Sequence, residues 1–130
     1  MTHIKTTVNG YTGYRGREGQ WAFLLHRLSG LGTGLFLTIH IVDIAFVYFA
    51  PDLFLDVLKL YQSTLFGIGE IILVFLVFFH GVNGLRIAFF DLKAPQRWNI
   101  EVARKSARLA LIVAAALWLP AAIWMVRNLL

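Results

Sequence analysis

The sequence contains no cysteine, which removes disulfides, thiolate metal sites, iron–sulfur ligation and cysteine nucleophiles together. Iron, if bound, is then expected to take histidine as its ligand. No secretory signal is expected either, since residues 1 to 20 are polar and glycine-rich, with no short apolar stretch ahead of a small-residue cleavage site. The first hydrophobic segment is therefore expected to be retained. There is no internal repeat and no low-complexity tract. Acidic residues are few, 7 against 12 Lys and Arg, for a net charge of +5. The basic residues gather at segment ends, and no basic stripe interleaves with aromatics along a polar face, so membrane topology explains them better than nucleic acid does.

What remains is strongly apolar. The 130 residues leave room for one ordinary domain, taken here as 1–130. A hydrophobic content of 58%, with 15% aromatics, exceeds what a small water-soluble core hides. The mean hydropathy of +0.70 agrees, and the chain is expected to face lipid or a large apolar partner.

Three hydrophobic segments carry this excess, at about 21–49, 65–91 and 104–126, each long enough for the roughly 20 residues that a bilayer core requires. The expected fold class is thus an all-α integral membrane protein of three transmembrane helices. The first segment stops at Pro51 and Asp52, the second at Asp91, Lys93 and Pro95, and the third carries Pro120 at an expected kink. Asn9 to Gly19 reads as a loop, and Ala50 to Thr64 as a connector able to form a short surface helix. Lys5, Arg15, Arg17 and Arg27 lie at the amino end, and Lys59 stands alone in the first loop. Lys93, Arg97, Arg104, Lys105 and Arg108 follow in the second loop, where Arg86 approaches, and Arg127 closes the chain. The positive-inside rule puts the amino terminus and second loop in the cytoplasm, with the first loop and carboxyl terminus outside. Trp98, Trp118 and Trp124 are expected to be interfacial anchors. His3 is given no role.

An ionisable side chain within a span costs several kcal/mol unless it is paired or put to use, which directs attention to few positions. His40 lies 13 residues beyond Arg27, roughly 20 Å into the membrane, whereas His80 is 6 residues before Arg86 and 11 before Asp91, roughly 9 to 16 Å from the same boundary. Ligands of one metal should be level. The offset argues for two separate sites, each completed by a histidine from another helix. His26, Gly30, Thr33, Leu37 and His40 share a helical face, as do Gly69, Leu73, Gly84, Ile87 and Asp91 around His80. Missing side chains at Gly30 and Gly84 would admit a porphyrin edge, and Arg27, Arg86 or His26 would meet its propionates. A packing reading stands beside this one: lone histidines hydrogen-bond across helix interfaces, and Gly30 and Gly34 have the GxxxG spacing of close helix contact. Asp43 and Glu70 fall in the outer half of the membrane, as proton or quinone residues or as interface caps.

HRLSG at His26 to Gly30, TIHIVD at Thr38 to Asp43 and FHGVNGLRIAFFDL at Phe79 to Leu92 together resemble the cytochrome b subunit of succinate dehydrogenase, over roughly residues 15 to 110. The resemblance implies a bacterial or archaeal multi-pass cytoplasmic-membrane anchor for a flavoprotein and an iron–sulfur protein, passing electrons to quinone and performing no succinate chemistry itself. His80 matches the haem b ligand of that family. His40 matches the first-helix histidine of members with two haems and two small anchor subunits. The resemblance therefore implies two haems b, an inner one on His80 and an outer one on His40, each shared with a sister three-helix subunit.

Two-haem members usually reduce menaquinone, whose low potential makes succinate a poor donor, and electrons would then reach an outer-side quinone served by Asp43 and Glu70. One departure is Phe23, where one-haem enzymes place a quinone-contacting serine, so an inner quinone site built around Arg27 is put in doubt. Two other functions are kept open: a haem-free structural anchor, and a small proton-conducting subunit relaying through Asp43, Glu70 and the histidines. The missing broken-helix repeat speaks against a transporter.

Overall fold

The computed structural model describes residues 5–7, 10 and 17–129. Its long elements are helices Arg17–Phe49 (α1), Pro51–Tyr61 (α2), Thr64–Lys93 (α3) and Ile100–Leu129 (α4), with a 3-10 turn at Pro95–Arg97. Three of them, α1, α3 and α4, are long and apolar enough to cross a membrane. They match the three expected segments. His3, Arg15 and most of the stretch read as a loop from Asn9 lie outside the described residues, while residues 17–19 already belong to α1.

Local chemistry sets each boundary. Pro51 occupies the first turn of α2, where its missing N–H is no loss, and the preceding Ala50 leaves the helical region at φ −153°. α2 is amphipathic, with Asp52, Asp56 and Lys59 against an apolar side, and it has no buried residue. This is the short surface helix expected between the first two spans. α4 starts at Ile100, earlier than its apolar stretch, because the Asn99 side chain accepts the N–H of Val102 at 2.9 Å and caps the first turn. Lys105 then pairs with Glu101 at 2.6 Å one turn away. Arg104, Lys105 and Arg108 are consequently helical residues rather than a loop cluster. α4 runs on through Pro120 without a break in its helical assignment.

Packing is built from small residues. Ala107, Ala110, Ala114 and Ala122 are the buried positions of α4, and they form one small-residue face that lets neighbouring backbones come close. Trp118 donates its indole N–H to the carbonyl of Ile71 at 2.9 Å and meets Phe75 edge-on. It is therefore an interhelical contact of α3 and α4, not the interfacial anchor expected from sequence. At one end of the bundle Glu18 binds Arg104 at 3.0 Å and also Arg108, so the start of α1 and the start of α4 lie together. At the other end Leu129 packs on Gly67 and Tyr61 reaches Asp43. Large apolar side chains such as Leu31, Phe49, Leu85 and Ile112 stay exposed along the spans, as lipid or further apolar partners require.

Candidate functional site

A buried polar cluster forms where α1 crosses α3. His26 and His80 stack ring on ring, with centroids 4.1 Å apart and planes 4° from parallel. Ser29, fully buried, donates its hydroxyl to the carbonyl of His26 at 2.9 Å. Its oxygen also lies 3.2 Å from His80 Nδ1, which is 3.2 Å from the same His26 carbonyl. A carbonyl oxygen only accepts, so the consistent assignment puts the proton on His80 Nδ1 and leaves the Nε2 lone pair free in the plane of the ring. Stacking covers one face of the ring, and no hydrogen bond reaches Nε2 among the described residues.

Gly30 makes the arrangement sterically feasible. A Cβ there would lie 2.8 Å from His80 Cε1. The space expected to admit a porphyrin edge at Gly30 is thus filled by the His80 ring itself. A Cβ at Gly84 would stand 3.6 Å from His26 Cε1, an ordinary contact, so that glycine is less constrained. Gly34 faces open space, and the GxxxG spacing is not a tight contact within this chain.

Around the cluster several buried polar atoms have no hydrogen-bond partner: His26 Nδ1, Thr33 Oγ1, both side-chain polar atoms of Asn83, and Arg86 Nε. Asn83 lies one turn from His80 and is 1% exposed. A buried amide without a partner costs on the order of 1–3 kcal/mol, which makes the group notable. Sequence reasoning did not single out Asn83 or Ser29; polar side chains in mid-span were the available signal. Arg86 sends one N–H to the Ala103 carbonyl at 3.4 Å and stacks 5.8 Å from the Trp98 ring, tying α3 to α4. Arg27 is exposed and lies 5.4 Å over Phe23, the residue that departs from the serine pattern.

His40 stands apart. It is 14 residues beyond His26 on the same helix, about 21 Å along its axis. Its exposed ring stacks on Phe36 at 5.3 Å. Asp43, one turn on, is buried and accepts a hydrogen bond from the Tyr61 hydroxyl at the end of α2. Glu70 lies where two clefts meet. One, of ≈ 320 Å³, includes Tyr61, Gln62, Trp124 and Asn128; the other, of ≈ 360 Å³, is apolar and includes Phe36, Leu73, Val77 and Phe78. Both also contain Met125. A polar head and an apolar tail would suit that junction.

A family model described as Succinate dehydrogenase/Fumarate reductase transmembrane subunit matches residues 1–121. The Succinate dehydrogenase 2 membrane subunit SdhC of Mycobacterium tuberculosis (strain ATCC 25618 / H37Rv) is 38% identical over 78 residues. That match covers 60% of this chain and 57% of the relative, so it spans little more than half of either.

Proposed function

The chain belongs to the succinate dehydrogenase/fumarate reductase transmembrane subunit family, and on that premise we propose that it is the haem-binding membrane anchor of a two-haem succinate:quinone oxidoreductase. It is a multi-pass membrane protein of three spans. In this reading it binds the iron–sulfur and flavoprotein subunits at its cytoplasmic end, beside a sister three-helix subunit. Haem b supplies one-electron transfer between the iron–sulfur partner and a membrane quinone, menaquinone in our reading.

The observation that carries the proposal is the anchored His80. Its Nδ1 is held by Ser29 and the His26 carbonyl, and its Nε2 is left without a hydrogen bond among the described residues. That is the state in which an imidazole would hold a haem iron. The unpartnered His26 Nδ1, Asn83 and Arg86 Nε fit a carboxylate-bearing group beside it. His40, exposed on α1, has room for a partner from outside the chain and serves as the outer ligand in this proposal. Thr33 and Gly84 line the inner site, and Arg27 is assigned to its rim. Asp43 and Glu70 hold protons for quinone at the outer end.

One observation favours a haem-free anchor instead: the His26–His80 stack is already a complete packing contact. A pyridine haemochrome assay on the purified complex, normalised to covalent flavin, separates the two. Two haems per flavin are expected, with the inner one lost in His80→Ala and the outer one in His40→Ala. No haem in the wild-type complex would leave both histidines as packing residues.

A further inference from the structure

We infer that Ser29 is a positioning residue for His80, setting which ring nitrogen is offered to iron and holding the imidazole at a fixed rotation. The inference rests on the haem-anchor reading of His80. Three residues from one turn of α1 bear on the same ring. His26 covers its face at 4.1 Å. Gly30 leaves the clearance into which the Cε1 edge fits, since a Cβ there would lie 2.8 Å away. Ser29 and the His26 carbonyl each stand 3.2 Å from Nδ1. The stack and the clearance restrict where the ring lies, yet neither distinguishes Nδ1 from Nε2. Only the hydrogen bonds do that.

Ser29 contributes twice. Its hydroxyl donates to the His26 carbonyl at 2.9 Å, which holds that oxygen in place, and its own oxygen accepts from Nδ1–H as a second partner. Being fully buried, it faces no competition from solvent for either bond. A hydrogen bond to the non-ligating nitrogen of a metal-bound histidine fixes its orientation and raises its basicity, and losing such a partner costs roughly 10–100-fold in metal affinity. Removing one of the two acceptors makes the imidazole a poorer donor to iron. A poorer donor stabilises ferric iron less, so the potential of the haem on His80 moves upward.

The test uses the assembled complex with Ser29→Ala, Ser29→Thr and His80→Ala, reading the haem potentials by redox titration and the rate of haem transfer to apomyoglobin. Ser29→Ala is expected to raise the potential of the inner haem and to release it roughly 10–100-fold faster. The outer haem stays unchanged and serves as the internal control for folding. Ser29→Thr, which keeps the hydroxyl, restores wild-type values. An unchanged or lowered potential with unchanged release in Ser29→Ala overturns the inference, and so does a Thr variant shifted as far as the Ala variant, which would mark a packing role. If His80→Ala keeps the inner haem, the haem-anchor reading of His80 fails and the inference with it. If His80→Ala loses that haem while Ser29→Ala behaves as wild type, only the inference fails.

Discussion

The hydroxyl of Tyr61, at the last residue of the surface helix α2, donates to the buried Asp43 carboxylate in the first span. The Tyr61 ring also meets Phe66 at 5.3 Å near the start of α3. One side chain therefore joins α1, α2 and α3 at the end of the bundle opposite Glu18. It answers the cost of burying a carboxylate, since a burial so expensive persists only with a partner.

Tyr61→Phe should therefore destabilise the protein by about 1–3 kcal/mol, because it leaves the Asp43 oxygen buried without its donor. The effect carries a pH signature. The hydrogen bond to Asp43 is the main cause that raises the Tyr61 pKa, with burial and the carboxylate charge adding to it. A raised pKa means that the folded state holds the phenol proton more tightly than the unfolded chain does. The stabilisation is then fully present below the ordinary tyrosine value of about 10 and is lost as pH rises through the higher folded value. Thermal unfolding of wild type and Tyr61→Phe at stepped pH should show a gap that is constant near neutrality and closes in strong alkali. A gap already absent at neutral pH would mean that the contact contributes nothing.

Gly30→Ala and Gly34→Ala form a matched pair within one GxxxG spacing. At Gly30 the new methyl would press on the His80 ring at 2.8 Å, while at Gly34 nothing lies within 4 Å. Overpacking of this kind costs roughly 1–3 kcal/mol. On the proposed function, Gly30→Ala should thus lower stability and displace His80, removing the haem proposed on it in spectra of the complex, and Gly34→Ala should do neither within this chain. Equal effects at the two positions would show that the spacing acts as a helix-packing motif and not through His80.

Much of this was legible in the sequence, for identifiable reasons. Spans depend on summed hydropathy, which a single sequence displays directly, and Pro51 marked the break between α1 and α2. The start of α4 was hidden because Asn99 caps a first stretch in which Glu101, Arg104, Lys105 and Arg108 interrupt the apolar residues and lower its summed hydropathy. Trp118 was misread as an anchor because which carbonyl its indole meets, here that of Ile71, is a matter of interhelical register. The helical wheel put His26 and Gly30 on one face, and the structure does bring both against His80. It could not show that His80 fills the glycine's space, nor that Ser29, one residue off that face, holds Nδ1. Such contacts depend on how α1 and α3 cross, which periodicity within either helix leaves open.

Asp43→Asn and Glu70→Gln test whether these two carboxyl groups move protons, as proposed. The first change is structurally conservative, because an Asn side-chain oxygen can still accept from Tyr61 at the position of Oδ2. The second is made at an exposed residue where the polar and apolar clefts join, so it disturbs no buried contact. Both variants should keep wild-type haem content and stability. Losing a positioned proton carrier typically costs roughly 10²-fold or more, and each variant should slow succinate-driven quinone reduction toward that extent. If the two act on one route, the double variant should be little slower than the slower single one, since members of a single relay are not additive. Quinone turnover measured beside haem content in all three variants decides the matter. Unchanged turnover in both single variants would assign Asp43 to anchoring Tyr61 and Glu70 to the cleft wall alone.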